Sequence, residues 1–177
     1  MLITLIETNY LELNFSYVDY EVLLLIIMEN DTILDMKKYI GKKMTFFHSP
    51  VTSLLGGTLI DVREGFTEAK FIIKSEWVNI MGTLHGGIIA LIIDEMMGIT
   101  RFTLQKDTYF STVNLVIDYF RSVKGFESIY IKTIVLKEGK NILFLEAEVF
   151  DNDNNLIAKG SSNVVNSNIK KDSSTSK

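Results

Sequence analysis

One stretch of this chain has the length and pattern of a long helix: residues from about Leu84 to Thr103, "LHGGIIALIIDEMMGITRFT". Every other regular segment around it reads as a strand. Before it, "LLGGTLIDV" and "FTEAKFIIKSE" flank a tight turn at Glu64-Gly65, with Phe66, Glu68, Lys70, Ile72 and Lys74 alternating against Ala69, Phe71 and Ile73. After it come "YFSTVNLVIDYF", "ESIYIKTIVLKE", "NILFLEAEVFDN" and "NLIAKGSSNVV", separated by "RSVKG", "EGKN" and "DNDNN". Links this short and this rich in turn formers favour antiparallel neighbours. The order β-β-α-β-β-β-β therefore predicts an α+β fold, one helix held against one curved antiparallel sheet of about six strands. Strand and helix do not alternate, which excludes a doubly wound nucleotide-binding sheet.

Outside this region the chain is simpler. "TILDMKKYIGKK" (32–43) reads as a short amphipathic helix with Ile33, Met36 and Ile40 on one side. Residues 1–45 are thus expected to form an N-terminal extension carrying that helix, 46–166 the main domain, and 167–177 a disordered Ser/Lys-rich tail. The greasy N-terminus lacks the positive charge of a signal peptide, and "VLLLIIM" (22–28) is far shorter than the ~20 residues a membrane span needs. Two readings of residues 1–27 stay open: part of the protein, or sequence upstream of a start at Met28.

Composition excludes several functions. A net charge of -4 leaves no basic surplus to displace counterions from nucleic acid. Cysteine is absent, so there is no thiolate nucleophile and no cysteine zinc site; a reducing cytoplasm fits. His48 and His85 are the only imidazoles, too few for a histidine metal centre. No metal and no redox cofactor are expected.

The chemistry concentrates at "NIMGTLHGG" (79–87) and at the acids Asp94 and Glu95 in an otherwise apolar run. A helix start leaves N–H groups unpaired and partially positive, and Gly86-Gly87 would let a carbonyl come close to them. That pair could equally serve only to make a tight loop-to-helix junction. His85 fits a positioning residue or minor polar catalyst, or one that simply orders the junction; Asn79 fits a holder of a carbonyl or water, or ordinary turn chemistry. By helical periodicity Asp94 lies on a stripe of small residues with Gly87, Ala90 and Gly98, together with Leu91 and Arg101, whereas Glu95 belongs to the rim or pairs with a lysine. The residues alone leave either acid as the working carboxylate. Asp94 lies nine residues past His85, about 13.5 Å along the axis. One carbonyl cannot sit ~3 Å from both within a single chain. Either the two do different jobs or a two-fold partner supplies the second, which predicts a site shared between subunits.

The spacing Asn79, His85-Gly86-Gly87, Asp94 on a loop entering a long helix resembles the hotdog-fold acyl-CoA thioesterases, in particular the phenylacetate-pathway and small mammalian types. "MGTLHGGIIALIID", "STVNLVIDYFRSVKG" and "VLKEGKNILFLEAEV" carry the resemblance through about residues 48–165. It implies hydrolysis of an acyl-CoA to a carboxylic acid and CoA, in a homodimer or dimer of dimers. It implies further that the Gly86 amide polarises the thioester carbonyl, with Gly87 beside it, and that Asn79 and His85 hold the carbonyl or water. Asp94 of the facing subunit would act as base or nucleophile, Thr112 would position water, and Lys137 and Lys140 would meet CoA phosphates or stand as solvated turn charges. The family often has a proline near Ser122; this chain has none there, which puts the local edge of the CoA groove in question. A non-catalytic acyl-CoA sensor and a hotdog dehydratase or hydratase are the alternatives.

Overall fold

The structure is a computed structural model, and it describes residues 31–45, 49–104, 106 and 108–170. The chain divides into two compact units, 1–31 and 32–177. Residues 1–30 and 171–177, and with them the readings of the first 27 residues and of the end of the tail, lie outside the described residues. The described elements belong to the second unit, with Asp31 at its boundary.

These elements are α1 (Asp31–Lys37), α2 (Pro50–Leu55), β1 (Thr58–Arg63), β2 (Phe66–Ile72), a 3-10 turn (Ser75–Trp77), α3 (Gly86–Phe102), β3 (Thr108–Tyr119), β4 (Ser128–Glu138), β5 (Ile142–Phe150) and β6 (Leu156–Lys170). All six strands form one antiparallel sheet in the order β1-β2-β4-β5-β6-β3. The α+β expectation holds, with α3 as the one long helix among the described residues.

Four expectations change. The short N-terminal helix ends at Lys37, so Ile40 lies in the following turn and is exposed, while Met36 is buried in the main core. Residues 50–55, partly expected as strand, form α2. Ser49 caps it by accepting the Thr52 N–H, Pro50 occupies its first turn, and Gly56 ends it at φ 67. Strand β6 continues to Lys170, four residues past the expected boundary at 166. Strand β3 also departs from the rule that short links join neighbours: it lies beside β6, while β4 takes the place next to β2.

Burial follows the two periods. The face of α3 carrying Ile89, Ile92, Ile93, Met96, Met97 and Ile99 is buried, opposite the inward residues of the sheet: Ala69, Phe71, Ile129, Ile131, Leu143, Leu145, Ala147 and Val149. Gly160 lies close beneath α3; a Cβ there would lie 2.9 Å from Ile93 Cγ2. A threonine seam secures the end of α3. Thr67 and Thr100 hydroxyls meet at 2.5 Å, and Thr103 Oγ1 donates to Thr100 O and accepts the Gly65 N–H at the β1–β2 turn. Register on the outer face is marked by one transverse row, Asp61, Glu68, Lys132, Glu148, Lys159 and Asp118. Lys159 reaches Glu146 at 2.8 Å and Glu148 at 3.4 Å, and these pairs hold its ammonium above its ordinary range. A one-residue slip would turn such charges toward the core, so the row reinforces the pairing that burial already dictates.

Candidate active site

The helix tip is built from two loops. Residues 78–84 form a narrow turn, closed by a Val78–Leu84 bridge, with Gly82 at φ 73. The β3–β4 link runs alongside it: Leu84 N–H bonds Val123 O, Gly125 N–H bonds Gly82 O, and Val123 is buried. This packing explains why a link that does not make a hairpin is well held: it is the shelf on which the helix begins.

Asn79 closes the turn. Its Oδ1 accepts from the N–H groups of Met81 (2.9 Å) and Thr83 (3.3 Å), and its Nδ2 donates to Thr83 Oγ1 (3.0 Å). The side chain is thus engaged in its own loop, the turn chemistry weighed against a carbonyl-holding role. His85 is the N-cap of α3. Its N–H bonds Trp77 O at 2.9 Å, and its Nδ1 accepts the Gly87 N–H at 2.9 Å. Of the glycine pair, then, Gly87 has its amide committed to His85. The Gly86 N–H, first in the helix and without an intrahelical acceptor, donates to no protein group among the described residues.

The two acids separate cleanly. Glu95 is half-buried and accepts the hydroxyl proton of Thr52, a buried residue of α2, so it joins the two helices rather than pairing with a lysine. Asp94 faces the open stripe: a Cβ on Gly98 would meet nothing within 4 Å, and Thr112 Oγ1 donates to Asp94 Oδ1 at 3.1 Å. The sequence points to Thr112 and Asp94 as site residues with separate roles; their direct contact is a finding of the structure.

One residue of the site carried no signal in the motif. Tyr119, at the end of β3, donates its hydroxyl to the Gly86 carbonyl at 3.0 Å, with its ring against the helix tip. Thr112 and Tyr119 are an odd number of residues apart, so a regular strand would send them to opposite faces. An irregularity between Thr112 and Asn114, facing Val164 and Asn163, inserts one extra residue and puts both side chains toward α3. The Asn114 side chain and carbonyl are used locally, accepting from Asn163 N–H (2.7 Å) and Ser162 Oγ (2.7 Å).

Gly86 and Asp94 are eight residues apart, about 12 Å along the helix. Each chain therefore presents an amide at one place and a carboxylate at another. Arg101, the next large polar side chain on the Asp94 stripe, lies over the Phe102 ring at 4.1 Å; burial pulls its pKa down and Tyr109 opposes the shift. Lys137 and Lys140 are exposed at the β4–β5 hairpin, and no hydrogen bond or ion pair among the described residues ties them to Asp94 or the helix tip. Among the described residues no three of His, Cys, Asp and Glu gather to hold a metal ion, and no helix is long and apolar enough to cross a membrane.

Known proteins resemble this chain in sequence and fold. The sequence profile of the thioesterase superfamily matches residues 81–158. Human acyl-coenzyme A thioesterase 13 is 29% identical over 104 residues, covering 58% of this chain and 74% of its own length. The Escherichia coli PaaI protein of the phenylacetic acid degradation operon superposes with a TM-score of 0.66 at 15% identity, covering 71% of this chain and 90% of its own. A hypothetical thioesterase protein of Streptococcus pneumoniae TIGR4, solved with coenzyme A, superposes with a TM-score of 0.61 at 16% identity, covering 65% and 88%.

Proposed function

We propose that this chain, whose residues 81–158 match the thioesterase superfamily profile, hydrolyses acyl-CoA thioesters to a carboxylic acid and CoA. The observation that carries the reading is the pairing of Thr112 with Asp94 on an open helix face, in a chain that also presents the unengaged Gly86 amide at the helix tip. A thioester carbonyl accepts the Gly86 N–H, which stabilises the oxyanion as water adds. Asp94 takes the proton from that water, and Thr112 fixes the carboxylate. Collapse breaks the C–S bond and the CoA sulfur leaves. Asn79 contributes by holding the loop that aims the tip. Asp94 attacking directly is the other route; oxygen-18 from solvent appearing in Asp94 after a single turnover identifies it.

The ~12 Å between Gly86 and Asp94 favours a two-fold dimer in which each carboxylate serves the partner's helix tip. Strand β3 suits that contact: it ends the sheet, and Val113 and Val116 are exposed along it. Lys137 and Lys140 are proposed to meet the CoA phosphates, and alanine at either raises KM if they do.

The deciding experiment is thiol release across a panel of acyl-CoAs, run beside Asp94→Asn and with the assembly state measured. Cleavage lost in the variant upholds the reading. Binding of CoA esters without cleavage would leave a sensor, and water addition to an enoyl-CoA a hydratase. A fully active monomer removes the shared site.

A further inference from the structure

The peptide unit between Gly86 and Gly87 is gripped at both ends. Its carbonyl accepts the Tyr119 hydroxyl at 3.0 Å, and its N–H donates to His85 Nδ1 at 2.9 Å. A backbone amide can only donate, so the Nδ1 that receives it carries no proton, and the proton of a neutral imidazole stands on Nε2. Nε2 bonds no protein group among the described residues and the residue is exposed, so this N–H is open to a ligand. The packing agrees with this arrangement. A Cβ on Gly87 would lie 3.2 Å from His85 Nδ1 and 3.4 Å from Cε1, so a side chain there would push the ring off its place by a few tenths of an ångström. On the other side, a Cβ on Gly86 would stand 3.5 Å from the Tyr119 ring.

We infer that Tyr119 is a positioning residue which, through the Gly86–Gly87 peptide, holds His85 Nδ1 as an acceptor and so leaves Nε2–H as a second donor at the helix tip beside the Gly86 amide. A hydrogen bond to the carbonyl side of an amide makes its N–H a better donor, so the Tyr119 bond tightens the one to His85 Nδ1. The helix tip then offers two donors, the Gly86 N–H and His85 Nε2–H, and His85 does not serve as the base. The part of this inference that concerns turnover rests on the thioesterase reading; the part that concerns the imidazole does not.

The test uses the full chain with His48→Gln, which leaves His85 as the sole histidine. Long-range proton–nitrogen correlation spectra show which ring nitrogen bears the proton. The expected result is Nε2–H only, with Nδ1 shifted as a hydrogen-bond acceptor. Tyr119→Phe keeps the ring and removes the hydroxyl; it moves the Nδ1 signal toward that of free imidazole and lowers kcat about tenfold, roughly one hydrogen bond, with KM within about twofold. Gly87→Ala, which displaces the His85 ring without touching Tyr119, produces the same spectral loss. A proton on Nδ1 in the parent, or Tyr119→Phe with unchanged nitrogen signals and unchanged kcat, overturns the inference. A protein that shows the signature and loses it in Tyr119→Phe, yet cleaves no acyl-CoA, keeps the clamp and rejects the thioesterase reading. One that cleaves acyl-CoA without the signature does the reverse.

Discussion

Replacing Thr112 with valine is the sharpest probe of the carboxylate. The two side chains have nearly the same shape and both are β-branched, so strand β3 loses one hydroxyl and little else. Thr112 is exposed, and removing an exposed hydroxyl shifts folding stability by no more than about 0.5 kcal/mol. The catalytic cost is different. A hydrogen bond to a charged group is worth about 1.5–3 kcal/mol. At 3.1 Å and exposed to solvent, the Thr112–Asp94 bond belongs at the low end. About 1.5 kcal/mol corresponds to a loss of about tenfold in kcat. A chromogenic thiol reagent reads the product without background, because the chain has no cysteine. The decisive measurement is a cycle with Asp94→Asn. If Thr112 acts by fixing the ionised carboxylate, its removal costs less than about twofold once Asp94 has become an amide. An equal penalty in both backgrounds, or a large fall in melting temperature with kcat intact, refutes the argument.

Gly160→Ala places a methyl 2.9 Å from Ile93 Cγ2 and should destabilise the fold by about 1–3 kcal/mol in urea unfolding, with Ile93→Val restoring part of it. Thr52→Val and Glu95→Gln disturb the link between α2 and α3; both should lower the melting temperature while kcat at low temperature stays near the parent's. Asp151 accepts from the side chain and N–H of Asn155 and from the Asp153 N–H, and these bonds, led by the Asn155 side chain, hold its pKa below the ordinary value. A depressed folded pKa contributes stability above the unfolded value of about 3.9 and loses it as pH falls through the folded one. Asp151→Asn should therefore be less stable than the parent at neutral pH, with the gap closing under acid; a gap that persists unchanged to low pH refutes the assignment.

Most of the sheet was legible in the chain because strands announce themselves through a two-residue period that burial enforces. The alternation at Phe66–Ile73 appears in the structure as buried Thr67, Ala69, Phe71 and Ile73 against half-buried or exposed partners. Helix α2 was missed although its signals were present: Ser49-Pro50 at one end and Gly56-Gly57 at the other. The apolar Leu54-Leu55 pair beside the glycines reads equally well as the start of a strand, and a six-residue helix offers too few turns to show a period. Of the site, the junction at His85–Gly87 was readable because capping is local. Asp94 and Thr112 were readable as site residues through the family resemblance, but their pairing was not, because it joins a helix to a strand 18 residues on. Tyr119 was not readable, because nothing in "STVNLVIDYF" reveals an extra residue at position 113 that reverses which side chains face inward.

Sequence alone therefore determined the number of strands, the single long helix, the excluded chemistries and the helix face that carries Asp94, all consequences of short-range periodicity and composition. Tertiary structure decided that β3 leaves its sequence neighbour for the far edge of the sheet, that Glu95 is spent on Thr52, and that Tyr119 grips the peptide behind Gly86. Those outcomes depend on which strand fills which edge and on where a bulge falls. Both are settled by packing between residues far apart in the chain, and no local pattern encodes them.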